Sequence, residues 1–329
     1  MIGLWLQDLG LSLRKDLPVP EPSEREALIK IDLAGICGTD IELLRGYYPF
    51  TGTPGHEFVG RVVAAPGAPG LVGQRVTGEI TIACGECDSC RRGLQKHCLH
   101  SRTLGIRDYP GVFAEYCLLP VANLHRVPSS VSDEQAVFTE PLAAALEILD
   151  QVHILPTDRV AVIGAGRLGL LAAWCLSLTS CQLSVVARHQ PSRDILKQWG
   201  VQAIDADQMA STSYDVVVEA TGSADGLKMA ANVVRPRGVI VLKSTYQGDI
   251  TFNISAMVVN EVTLVGSRCG PFDGALRLLD SQRPDLSAMI AGIYPLEQGL
   301  AAFDLARQRG VLKVLVQPGD AQGAGFKGR

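Results

Sequence analysis

The rhythm of apolar and polar positions changes near residue 140 of this 329-residue chain. Before that point, short apolar stretches are broken by Gly and Pro: ALIKIDLAGI (27–36), HEFVGRVVAA (56–65), QRVTGEITIA (74–83) and GVFAEYCLLP (111–120). This spacing predicts a compact, mostly β region. Beyond it, TEPLAAALEILDQV (139–152) reads as a helix, and from Val160 apolar strands alternate with helical segments. The expected strands are VAVIG (160–164), LSVVA (183–187), QAID (202–205), DVVVEA (215–220), VIVLKS (239–244) and VTLVG (262–266). Helices are expected in RLGLLAAWCLSL (167–178), DILKQWG (194–200) and GLKMAANVVRPRG (226–238). Such alternation predicts an α/β fold with βαβ units and a parallel, doubly wound sheet. AFDLARQRGVLKVLVQP (302–318) reads as helix then strand, and DAQGAGFKGR (320–329) as a loose tail.

Composition narrows the class. Hydrophobic residues make up 47% and charged residues 19%, enough for a sizeable core, and the formal charge is only −4 with mixed signs. That balance offers no basic face for nucleic acid and no polybasic patch for a membrane. The first residues, MIGLWLQDLGLSLRK, lack a basic segment followed by a long apolar one, so no signal peptide is expected. Leu168 to Ala187 carries no charge over twenty residues, but its Ser, Thr and Gln content and its glycine-rich entrance read as a buried helix running into a buried strand. The expectation is a soluble, cytoplasmic protein.

VAVIGAGRLG places Gly164, Gly166 and Gly169 in G-x-G-x-x-G order, after an apolar strand and at the opening of a helix that begins Arg167, Leu168. The first glycine permits the tight turn, the second lets backbone approach a pyrophosphate, and the third allows close helix–strand packing. The motif alone is weak, but inside a run of alternating strands and helices it predicts a dinucleotide site. An acidic residue ending the second strand would grip the ribose 2′-hydroxyl of NAD. Here that strand ends in Ala187, Arg188 and His189. Arg188, with Arg193 as a second candidate, suits a 2′-phosphate, because a guanidinium binds phosphate in bidentate fashion. The pattern favours NADP over NAD.

Four of the nine cysteines crowd into CGECDSCRRGLQKHC as Cys84, Cys87, Cys90 and Cys98. Without an export signal the clustering favours metal over disulfides, and four thiolates in this spacing can close around one structural zinc. The spacing matches neither common ferredoxin run. A site closed by four cysteines has no open coordination position, so it predicts stability and not catalysis. A catalytic metal needs other ligands. Cys37 in AGICGTD, His56 in PGHEF and Glu140 in FTEPLA are candidates, although each alone also has a plain structural role.

AGICGTDIE, TPGHEFVG, the four-cysteine lobe, FTEPLAAALE, VAVIGAGRLG, DVVVEATGS and VTLVGSRCGPF follow one another at separations that resemble the zinc-dependent medium-chain alcohol, polyol and threonine dehydrogenases. The resemblance runs from about Leu28 to Pro318. It implies a GroES-like catalytic domain of residues 1–140 and 270–329 and a Rossmann domain of residues 141–269. It further implies a catalytic zinc held by Cys37, His56 and either Glu57 or Glu140, hence two zinc ions per chain, and an NADP or NAD cofactor bound by the glycine turn and Thr221. Glu140, standing where ethanol-type members carry cysteine, places the chain nearer the polyol and threonine branch. Thr39 is implied as a proton relay and Asp40 as the carboxylate that orients His56. Family members often carry a histidine at the solvent end of that relay, and this chain has Glu42. Tyr47, Tyr48 and Phe50 are expected along the substrate pocket, and Arg268 and Cys269 near the nicotinamide. The partners implied are a small alcohol or carbonyl substrate and further copies of the chain, as a homodimer or homotetramer. The alternatives are a zinc-lobed reductase without catalytic zinc and a non-enzymatic nucleotide sensor.

Overall fold

The computed structural model describes residues 1–245, 249–282 and 285–319. The tail expected at 320–329 lies outside the described residues. The chain folds as two units, one of Met1–Glu140 with the described residues from Ala275 on, the other of Pro141–Gly274.

The first unit begins with a hairpin of β1 (Gly3–Gln7) and β2 (Gly10–Arg14), followed by β3 (Glu26–Gly35), α1 (Gly38–Leu43), β4 (Glu57–Ala64) and β5 (Arg75–Gly78). In β3 the residues Ala27, Ile29, Ile31 and Leu33 share one face at period two, and all four are buried. A small sheet of β6 (Thr81–Ile82), β7 (Arg102–Leu104) and β8 (Asp108–Tyr109) flanks the cysteine segment, which holds the one-turn helix α2 (Asp88–Arg91). Then come β9 (Tyr116–Pro120), β10 (Leu124–Arg126), α3 (Asp133–Ala136) and α4 (Thr139–Gln151).

The second unit is the expected parallel sheet: β11 (Arg159–Ile163), β12 (Gln182–Val186), β13 (Gln202–Ile204), β14 (Tyr214–Glu219), β15 (Val234–Leu242) and β16 (Thr263–Gly266). Among the described residues the spatial order is β13-β12-β11-β14-β15-β16, so the winding reverses between β11 and β14. The helices are α5 (Arg167–Ser177), α6 (Gln190–Gln198), α7 (Ala224–Val233) and α8 (Ile254–Val259). α5 is apolar all round and Gly169 through Leu176 are buried, which explains the uncharged stretch. No helix of the described residues is long and apolar enough to cross a membrane. The largest departures from the sequence expectation flank α6 and α7. α6 starts four residues early because Pro191 stands in its first turn, where a missing N–H costs nothing. The strand after α7 starts at Val234, so RPRG is strand and not helix end.

After α9 (Phe272–Gln282) the chain returns to the first unit with β17 (Ile290–Pro295), α10 (Gly299–Ala306) and β18 (Lys313–Gln317). β18 pairs antiparallel with β3, completing the sheet order β10-β5-β4-β3-β18-β17, with β9 also on β3. β3 therefore lies between β4 and β18. That arrangement brings Lys313, the first residue of β18, to Glu57.

Candidate metal and dinucleotide sites

His56 enters β4 from a turn that only glycine makes without strain. Gly55 has φ +100°, and a Cβ there would lie 2.7 Å from the Phe113 ring. Cys37 caps α1, where its backbone N–H donates to Asp40 Oδ2 at 2.8 Å. The two turns bring one ligand atom each of Cys37, His56 and Glu57 within 4.8 Å of one another. His56 and Glu57 are buried, and so is Asp40. Asp40 Oδ1 lies 3.3 Å from His56 Nδ1, although the pair lacks hydrogen-bond alignment. The ring also interacts with the sulfur of Cys37. Burial pushes the imidazole toward neutrality, but Asp40 and Cys37 outweigh it and hold its pKa well above the usual value. The surroundings of this ring favour positive charge.

A thiolate, an imidazole and a carboxylate form a donor set that suits zinc with a coordination position to spare. The fit also shows in a buried orphan: Glu57 Oε1 has no hydrogen-bond partner among the described residues. The other oxygen, Oε2, accepts from Nζ of Lys313, which is itself buried and lies 5.7 Å from the Phe138 ring centroid. Lys313 is a residue that sequence reasoning missed. Its signal is a lysine opening the apolar run KVLVQ. Glu140 stands in the first turn of α4, half-buried, and does not belong to the group formed by Cys37, His56 and Glu57. Of the two glutamates left open by the sequence, Glu57 is the one beside Cys37 and His56.

Thr39 Oγ1 lies 3.8 Å from Cys37 Sγ. Glu42 pairs with Arg45 at 2.7 Å. The rings of Tyr47 and Tyr48 meet edge to face with centroids 4.6 Å apart.

The four lobe cysteines come together without disulfides. Their sulfurs are 3.5 Å apart for Cys87–Cys90 and Cys84–Cys98, 3.8 Å for Cys87–Cys98 and 4.0 Å for Cys84–Cys90. Tetrahedral zinc with Zn–S near 2.3 Å requires about 3.8 Å between sulfurs, so the residues fit that ion. Backbone N–H groups of Cys84 and Cys87 point at the sulfurs of Cys98 and Cys84. Backbone hydrogen bonding lowers the Cys87 thiol to about 6, whereas burial raises Cys90 to about 12.

In the second unit the glycine turn has the geometry a pyrophosphate needs. Gly164 has φ +102°, and a Cβ on Gly169 would fall on the Gly164 carbonyl oxygen. A Cβ on Gly166 would meet no atom within 4 Å, and Gly166 caps α5 without side-chain help. Arg167 and Leu168 form the first turn of α5. Buried Ser192 of α6 donates to the Ala165 carbonyl at 2.8 Å, a support for the turn that no sequence signal announced. Thr221 follows β14 and is held by Glu219 Oε1, at 2.7 Å from its N–H and 2.6 Å from its hydroxyl. Arg188 follows buried Ala187 and is exposed, whereas the Arg193 guanidinium is engaged by Asp205.

The chain is similar to known proteins over nearly its whole length. Residues 23–129 match the family described as alcohol dehydrogenase GroES-like domain, and residues 134–317 match glucose dehydrogenase C-terminus. A sorbitol dehydrogenase of Halalkalibacterium halodurans is 30% identical over 328 residues, covering 93% of this chain and 95% of its own. An L-galactonate-5-dehydrogenase of Escherichia coli K12 is 31% identical over 301 residues, covering 85% and 88%. A crystal structure from Sinorhizobium meliloti 1021, described as a zinc-binding dehydrogenase bound to NADP, superposes with TM-score 0.88 at 28% identity over 96% of this chain and 99% of that one. The chain belongs to the zinc-type medium-chain dehydrogenases, the alcohol dehydrogenase-like oxidoreductases.

Proposed function

We propose that this oxidoreductase is a zinc-dependent, NADP-linked dehydrogenase acting on a hydroxyl of a polyol or related alcohol, with one structural and one catalytic zinc per chain. The observation that carries the reading is the convergence of Cys37, His56 and Glu57, with Asp40 Oδ1 3.3 Å from His56 Nδ1. Zinc held there would supply Lewis-acid polarisation of a substrate oxygen, and a nicotinamide cofactor would take the hydride. The chain's own residues do the rest. Asp40 fixes the imidazole ring, Lys313 anchors one oxygen of Glu57, and the Thr39 hydroxyl accepts the substrate proton and passes it outward. Glu42 is engaged by Arg45, so it receives that proton only as a partner in an ion pair.

NADP is supported by Arg188 after β12, by the absence of a carboxylate at that strand end, and by the NADP bound to the S. meliloti relative. The polyol class is supported by the sorbitol and galactonate relatives. A cytoplasmic homodimer completes the reading. It is tested by measuring zinc content together with NADP- and NAD-linked oxidation of sorbitol, arabinitol and threonine. The expected result is two zinc ions per chain and NADP-linked turnover, both reduced in Cys37→Ser, to one zinc ion and no turnover. One zinc ion in the unmodified chain, or undiminished turnover in Cys37→Ser, would overturn it.

A further inference from the structure

At the C-terminal edge of the second unit's sheet, Lys243 follows directly on β15 and is buried. Its amine reaches three oxygens from three places: the Ala144 carbonyl of α4 at 2.7 Å, the Arg268 carbonyl at 3.0 Å and Ser267 Oγ at 3.1 Å. An ammonium has three donors, so this set can use all of them. Burying such a compact, strongly hydrated charge is unfavourable, and an apolar residue would fill the position more cheaply. What the charge achieves here is to fasten the segment after β16. The Ser267 N–H also donates to the Leu242 carbonyl at 3.0 Å, and a Cβ on Gly270 would fall on the Ala143 carbonyl oxygen. Ser267–Gly270 is thus clamped between the end of β15 and α4.

The position of that segment gives the clamp a purpose. In an open parallel sheet the ligand lies outside the C-terminal strand ends where the winding reverses, here between β11 and β14. The glycine turn at the end of β11 marks the pyrophosphate, and Arg188 at the end of β12 marks the 2′-phosphate side. The other nucleoside must then run toward the ends of β14, β15 and β16, where Lys243 and Ser267–Gly270 stand. We propose that Lys243 is a positioning residue for the nicotinamide end of the dinucleotide, acting through the Ser267–Gly270 segment that it ties to α4. The inference rests on the dinucleotide reading above. Lys243 does not touch the reacting atoms. It fixes the backbone on which the ring is seated.

The test compares a whole dinucleotide with its adenosine half. Binding of NADPH and of 2′,5′-ADP is titrated on the full chain and on Lys243→Met, Lys243→Arg and Ser267→Ala, with thermal unfolding as a check on folding. In Lys243→Met the affinity for NADPH is expected to fall about tenfold or more while that for 2′,5′-ADP stays within about twofold, as loss of hydrogen bonds from a charged donor implies. Lys243→Arg is expected to recover part of the loss and Ser267→Ala to show a smaller one. Equal losses for both ligands would mean a merely structural role and overturn the proposal. So would NADPH affinity unchanged in Lys243→Met while the unmodified chain binds it well, and that result leaves the dinucleotide reading standing. An unmodified chain that binds neither ligand overturns both.

Discussion

Gly35, Glu57 and Lys313 form one device. β3 lies between β4 and β18, with Gly35 paired to Glu57 on one side and to Leu315 on the other. The missing side chain lets Lys313 cross β3 to Glu57: a Cβ on Gly35 would lie 2.5 Å from Glu57 Oε2 and 2.9 Å from Val137 Cγ1. Both charges are withdrawn from water, so their attraction mainly offsets what burial costs, and the pair adds little net stability. Removing one partner is different, because it leaves an uncompensated charge in the core. Lys313→Met is expected to destabilise the protein by about 3–5 kcal/mol, and Glu57→Gln with Lys313→Met by much less. Urea midpoints of the two single variants and the double variant measure this. If the double variant loses as much as the singles combined, the two side chains are not coupled. Zinc content of the same variants separates stability from ligand placement, since Glu57 freed from Lys313 still has Cys37 and His56 beside it.

At the scale of elements, two glycines of one turn answer to different forces. Gly169 packs α5 against the end of β11, and a methyl there would press on the Gly164 carbonyl, which is backbone and cannot swing aside. Gly166 faces open space on the same turn. Gly169→Ala is therefore expected to lower the unfolding temperature, despite the gain of about 1 kcal/mol in helix propensity. Gly166→Ala should keep that temperature and lose NADPH affinity, because its methyl occupies the approach of the pyrophosphate. Thermal unfolding and NADPH titration of both variants distinguish the two, and equal behaviour would refute the division of roles. The turn was legible in the sequence because its glycines stand close together and its flanks have clear periodicity. The cysteine lobe and the pairing of Cys37 with His56 were legible as motifs for the same reason. Which of Glu57 and Glu140 lies beside Cys37 and His56 was not, since that depends on how β4 enters the sheet. Lys313 was hidden because 256 residues separate it from Glu57, and only the β3–β18 register joins them. Ser192 supports the turn from another helix, a contact that no local pattern encodes.

For the whole molecule, the outer edge of the parallel sheet raises the question of assembly. β16 ends the strand order and pairs only with β15 among the described residues, leaving its other edge available. An unpaired edge strand is a template for another chain unless charge or Pro blunts it. TLVG carries neither. Leu264 on this strand is 40% exposed, and nearby in sequence α8 presents Ile254, Val258 and Val259 at 61%, 71% and 81%. Exposed aliphatic residues on an edge strand and the helix before it suit a second copy better than a charged partner. A two-fold axis would set β16 against its own copy and use the same patch on both chains, which closes the assembly at two. A stable contact of this kind should bury on the order of 1,200–2,000 Å² in total. Light scattering is accordingly expected to give twice the 35.1 kDa chain mass at micromolar concentration. Val258→Glu should shift that mass toward the monomer, because it places a charge on the exposed apolar face that the second copy would cover. The Cys37 and His56 turns belong to the other unit, so zinc content should not change in this variant. A monomer at every concentration, or a dimer indifferent to Val258→Glu, would place the contact elsewhere and leave the α8 face without this role.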